Sequence, residues 1–139
     1  MKIRFASCLL LLTASLWARS HNHPAKADVP PDAGYVFALG AVNHFLHAWQ
    51  TGDVEDGMVQ LSDGIRHSQN ADNLEQFFSN GNDNGKDRSF EIARGRGHSR
   101  LYSFPVVLVA LRGNHVTRKS SEITVVETGK NDWVVDKLP

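Results

Sequence analysis

The chain has 139 residues, fifteen Lys and Arg against fifteen Asp and Glu, seven His and one Cys, and 41% of it is hydrophobic. That length suits one domain with a core of its own, the apolar content excludes a disordered polymer, and a single cysteine excludes an internal disulfide framework. Zero net charge conceals a polarity: over 28–87 ten acids face two bases, and over 88–139 nine bases face five acids, so the halves carry −8 and +4.

Residues 1–18 read as a signal peptide. Lys2 and Arg4 precede an apolar run from Cys8 to Ala18, about half the roughly 20 residues that a membrane span requires. Ala18 is the expected cleavage point, and the Ala25-Lys26-Ala27 triplet is the alternative, as late as residue 27. Cys8 lies before the leucine run rather than after it, so it does not fit a lipid-attachment site. Cleavage removes the only cysteine and leaves a domain outside the cytoplasm, periplasmic or extracellular, with no membrane span and no disulfide. Export also argues against a nucleic-acid partner. Residues 19–31, with His21, His23 and three prolines, read as a flexible linker.

From Asp32 the period becomes helical. Val36, Leu39, Val42, Phe45, Leu46 and Trp49 recur at three- and four-residue steps, with Asp32 as N-cap and Gly52 as stop. A second helix is expected over 54–67, capped by Asp53 and lined by Val54, Met58, Leu61 and Ile65, with Gly57 and Gly64 weakening it. A short third helix spans 73–78 and gives way to an Asn- and Gly-rich loop over 79–85. Four strands follow, at 89–99, 101–111, 120–128 and 132–138, joined by turns at Arg112-Gly113-Asn114 and Thr128-Gly129-Lys130-Asn131. Short turns imply antiparallel pairing, and helices followed by strands imply an α+β domain over 32–139. The second strand is apolar on both parities, so both of its faces should be covered, one by the helices and the other by a second copy of the chain, a homodimer through the sheet.

Several side chains invite a functional reading. Arg94, Arg96 and His98 alternate in the first strand, placed by parity with Phe90 and Ile92 and flanked by Arg88 and Arg100, a pattern that can hold a carboxylate or phosphate. His44 and His47 lie three residues apart on the first helix, but a catalytic zinc takes three protein ligands and no third histidine has the spacing, so no metal is expected. There is no Gly-rich phosphate loop, nucleophile elbow or CxxCH motif, and no cofactor is implied.

The run Phe45-Leu46-His47-Ala48-Trp49-Gln50-Thr51-Gly52-Asp53 leading into a second helix, then Leu74 with Phe77-Phe78, then a sheet closing on Asp132-Trp133-Val134-Val135-Asp136, resembles the nuclear transport factor 2-like superfamily. That is the α+β cone, cystatin-like in layout, shared with ketosteroid isomerase and SnoaL-type polyketide cyclases. The resemblance runs from about Asp32 to the end and rests on element order and a few local words. It implies N-terminal helices packed on a curled four-stranded antiparallel sheet, a pocket at the open end of the cone, and frequent dimerisation through the outer sheet face. Gly95 and Gly97 fit the bends of such a sheet. Isomerase chemistry in that family needs a carboxylate base and a tyrosine, and Tyr35 stands where a family tyrosine would point into the cone. No matching acid is evident, so no catalytic residue is assigned. The ligand-pocket candidates are Tyr35, His47, Trp49, Arg94, Arg96 and Tyr102. The expected function is an exported, non-catalytic domain that binds a small or anionic ligand or a partner protein. The alternatives are an isomerase, dehydratase or cyclase, and a structural dimeric subunit of a cell-envelope complex.

Overall fold

The computed structural model describes residues 32–79 and 87–139. The expected leader and linker, and the expected loop beyond Ser79, lie outside the described residues. Asp32 starts helix α1 (Ala33–Thr51): its backbone is extended and its side chain accepts the Tyr35 N–H at 2.7 Å. Gly52 ends it with a left-handed φ of 77°, and the Asp53 N–H reaches back to the Ala48 carbonyl at 2.9 Å. The buried face is Ala38, Val42, Phe45, Leu46, Ala48 and Trp49, whereas Val36, expected inside, is 55% exposed. The first turns of α1 therefore rest on the small side of the helix, with Ala38 rather than Val36 against the sheet.

The helix expected over 54–67 is two helices, α2 (Val54–Val59) and α3 (Asp63–Ser68). Asp53 caps the first through the Asp56 N–H, and buried Ser62 caps the second through the Ile65 N–H at 3.2 Å. Between them Leu61 makes a parallel bridge with Val135 of the last strand. Ser62 N–H donates to the Val135 carbonyl and Val135 N–H to the Gln60 carbonyl, both at 2.8 Å. These peptide groups leave the helical ladder to cover a sheet edge, which interrupts an otherwise continuous helical spacing. Helix α4 (Ala71–Ser79) packs on α1 and α2, and its fully buried Phe78 lies flat over Gly57. A Cβ on Gly57 would overlap the Phe78 ring, so the residue that weakens α2 is the one that lets α4 seat.

Strands β1 (Arg88–Ile92), β2 (Arg96–His98), β3 (Leu101–Arg112), β4 (His115–Gly129) and β5 (Asp132–Lys137) form one antiparallel sheet in the order β1-β3-β4-β5, with β2 also on β3. The β3–β4 hairpin turns tightly at Gly113, so β4 begins at His115 instead of residue 120. The first expected strand is split. Ile92 pairs with Val106 and Arg96 with Ser103, so four steps on one side match three on the other. That single extra residue is a bulge, and it reverses which parity faces inward. Phe90 and Ile92 stand opposite Leu108 and Val106 on the helix side, while Arg96 lies across from Ser103 on the outer face. Arg96 and His98 thus do not share a face with Phe90 and Ile92, whereas Arg88, read from sequence as flanking a cationic face, shares their parity and is buried at 4% exposure.

The inner parity of β3, Tyr102, Phe104, Val106 and Leu108, joins Ile123, Val125, Trp133 and Val135 and the buried face of α1 in one core. The outer parity of β3, Pro105, Val107 and Val109, is half-buried within the single chain. It is bordered by the ion pairs Glu91–Arg118 at 3.2 Å and Glu122–Lys137 at 3.5 Å. Among the described residues no helix is long and apolar enough to cross a membrane.

Candidate functional site

Two ends of the layer between helices and sheet carry polar chemistry. At one end, the N-cap of α1 meets the start of β3. The Tyr102 hydroxyl donates to both Asp32 oxygens, at 2.8 and 2.9 Å, so the carboxylate that caps α1 also ties it to the sheet. Tyr35, one turn into α1, sets its ring edge-on to Tyr102 with centroids 5.7 Å apart and lies 5.4 Å from Phe104. Its hydroxyl accepts the Gly95 N–H at 3.2 Å, which places Tyr35 against the bulge between β1 and β2. Trp133 closes the group, 5.6 Å from Tyr102.

The Tyr35 N–H, and after it the Tyr102 hydroxyl, hold the Asp32 carboxyl below its ordinary value. Burial, and then the hydrogen bond to Asp32, push the Tyr102 phenol above its own. The two shifts move apart: the acid becomes a weaker base and the phenol a weaker acid. A pair tuned for proton transfer near neutral pH needs the opposite. The interior here is packed with aromatic rings, and Tyr102, Phe104 and Trp133 are 2%, 0% and 6% exposed. One donor in it is left over: Trp133 Nε1 is buried and has no acceptor among the described residues.

At the other end Arg88 lies over the Trp49 ring at 5.3 Å. It donates to the carbonyls of Trp49 and Phe78 from one nitrogen and to that of Ser79 from another. Gln50 Nε2 in turn donates to the Arg88 carbonyl at 2.8 Å. This is a structural clamp on two helix ends, whose carbonyls favour a cation.

The sequence-derived candidates are thereby separated. Tyr35 and Tyr102 meet. Trp49 lies fourteen residues further along α1 from Tyr35, about 21 Å at the helical rise, and packs under Arg88. His47 is exposed on α1, and its neighbour His44 pairs with Asp56 at 2.9 Å. Arg94 sits in the bulge and Arg96 on the outer face, 3.8 Å from Glu122. Sequence reasoning missed Asp32 as the partner of Tyr102, since N-cap chemistry accounted for it fully. It missed Arg88 because a basic residue beside an Asn- and Gly-rich loop reads as solvated.

On the outer sheet face a cavity of about 290 Å³ is lined by residues that include Glu91, Ala93, Pro105, Val107 and Ser120. It lies where the bulge leaves β1, beside the half-buried stripe of β3.

Helices laid across one face of a bent antiparallel sheet, with the α1 cap pinned to the first long strand, define an α+β cone. No protein-family profile and no curated protein matches the chain. Solved structures do. A protein described as "Rd1NTF2_04 with long sheet" superposes with a TM-score of 0.53 and 11% identity, over 71% of this chain and 94% of that one. A protein described as an NTF2-like transpeptidase from Campylobacter jejuni matches with a TM-score of 0.47 and 13% identity, over 72% of this chain and 97% of that one. The chain has the nuclear transport factor 2-like fold.

Proposed function

We propose that this is an exported, non-catalytic binding domain that works through the outside of its sheet, with a second copy of the chain as the partner on that face. The observation that carries the reading is the contrast between the two faces of β3. The inner parity is sealed among aromatic rings. The outer parity presents Pro105, Val107 and Val109 beside a cavity of about 290 Å³, bordered by side chains of both charges. A surface with an apolar centre and a mixed rim is self-complementary under a two-fold axis. The cap pair argues in the same direction, because Asp32 is engaged by three hydrogen bonds and is a poor base.

Sizing with light scattering at micromolar concentration tests the reading. A dimer is expected, converted to monomer by Val107→Lys without loss of helical circular dichroism. A monomeric wild-type protein would overturn it. Export is checked by intact mass, which should fall by residues 1–18 or 1–27 when the chain is recovered outside the cytoplasm.

A second reading rests on Trp133 Nε1. In it a small ligand with an acceptor group takes that donor. Such a ligand would shift tryptophan emission in the wild type and leave Trp133→Phe unchanged.

A further inference from the structure

The two long edges of the sheet are treated differently. The β5 edge is covered by residues 60–62, through the bonds between Val135 and its neighbours Gln60 and Ser62. At the opposite edge, β1 and β2 pair only with β3 among the described residues. Leu111 N–H donates to the Asp87 carbonyl and Ala93 N–H to the Pro105 carbonyl. By the alternation of an antiparallel ladder, the peptide groups of Phe90 and Ile92 then point away from β3. Side chains follow a matching asymmetry. Arg94, Arg96, His98 and Arg100 succeed one another along this edge, all exposed, and the stretch 92–121 holds six Lys and Arg and no Asp or Glu. Among the described residues, two carboxylates reach in from β4. Glu122 meets Arg96 at 3.8 Å and Glu127 meets Arg100 at 3.4 Å, and the two arginine side chains are 81% and 67% exposed. Pairs so open to solvent are weak and exchange readily for a better partner.

We propose that the β1–β2 edge accepts an extended acidic peptide as an added strand, with Arg96 and Arg100 pairing its carboxylates while the peptide groups of Phe90 and Ile92 that point away from β3, between the α1 bonds at Arg88 and Gly95, bond its backbone. Strand addition obtains affinity from the main chain and selectivity from alternate side chains, and both components are present on this edge. Charge and a bulge on an edge also guard against uncontrolled pairing. A guard of one sign repels strands of like charge and strands of apolar sequence, yet it draws an oppositely charged one, so protection and selection are here the same device. The edge adjoins the sheet face proposed above for the second copy, with Arg96 at their shared margin, but peptide addition uses the β1 peptide groups and dimerisation the Val107 stripe, so anisotropy and sizing report on them separately.

The test is a titration by fluorescence anisotropy with a labelled peptide of about seven residues, alternating Glu with Val or Thr as strand pairing requires. Two counterparts accompany it, one with Lys in place of Glu and one N-methylated at alternate peptide groups. The acidic peptide should bind saturably, more weakly as salt is raised, and should slow amide exchange at Phe90 and Ile92. Arg96→Glu together with Arg100→Glu should weaken it by about tenfold or more, while the melting temperature and the sizing profile stay unchanged. The Lys and N-methylated peptides should not bind. Equal binding of the N-methylated peptide would reduce the edge to a charged patch, and equal binding of the Lys peptide, or of the acidic peptide to the double variant, would remove the arginines from recognition. Each of those results, like an absence of saturable binding, overturns the proposal.

Discussion

One nitrogen of Arg88 donates to the carbonyl oxygens of both Trp49 and Phe78, at 2.5 and 2.7 Å, and so joins the last turn of α1 to the last turn of α4. A guanidinium buried in this way is committed to its acceptors. Removing it leaves carbonyls that no water reaches, and the Trp49 ring loses the group stacked on it.

Arg88→Met should therefore destabilise the fold by about 3 kcal/mol, read as a lower urea midpoint. Arg88→Lys should recover less than half of that, because one ammonium cannot reproduce a fork that serves several carbonyls and stacks on indole. A loss of less than about 1 kcal/mol in the Met variant would contradict the clamp.

The cap pair makes stability depend on pH in a stated direction. The folded Asp32 carboxyl is held below its ordinary value, so its contribution is present above the unfolded value of about 4 and is lost as pH falls through the lower folded value. The Tyr102 phenol is raised, so its contribution is present below the ordinary tyrosine value of about 10 and is lost as pH rises through the higher folded one. Tyr102→Phe should flatten both limbs of a stability profile recorded by urea unfolding, the alkaline limb most. An alkaline limb that survives the substitution would place its origin elsewhere.

Gly57 and Gly64 make a paired test of helix propensity against packing. Both gain from alanine in propensity, by up to about 1 kcal/mol. At Gly57 the new methyl meets the Phe78 ring, and overpacking costs about 1 to 3 kcal/mol. At Gly64 the nearest atoms are 3.6 and 3.9 Å away, an ordinary contact. Gly57→Ala should lower the melting temperature and Gly64→Ala should raise it. The same sign for both would mean that Phe78 does not rest on Gly57.

What the sequence disclosed follows from the range of each interaction. Helix α1 was legible because its signals are local: Asp32 bonds an N–H three residues on, and Gly52 adopts a conformation that its own lack of a side chain permits. The break at 60–62 was hidden because Val54, Met58, Leu61 and Ile65 keep helical spacing across it, and its cause, Val135, lies more than seventy residues away. The apolar inner parity of β3 was plain, while the fate of its outer parity depended on charged neighbours from β1, β4 and β5. Among the candidate residues, Tyr35 and Tyr102 carried a legible hint in their ring chemistry. The linkage of Tyr102 to Asp32 spans seventy residues of chain and has no trace in either local pattern.

The bulge at residues 93–95 has a consequence for how the chain can change over generations. Alternation is counted, so the surplus residue lets Arg96 stand opposite Ser103 although it is an even number of steps from Ile92, and Gly95, where a Cβ would meet the Phe104 ring, gives it room. Point changes at Ala93 or Arg94 leave the count alone. A single-codon deletion at Ala93 or Arg94 leaves three steps against three, so Arg96 keeps its place opposite Ser103 and the cationic rim stays outside. Selection on this stretch therefore tolerates loss of the surplus residue more readily than it tolerates a side chain at Gly95, where the Phe104 ring already fills the space.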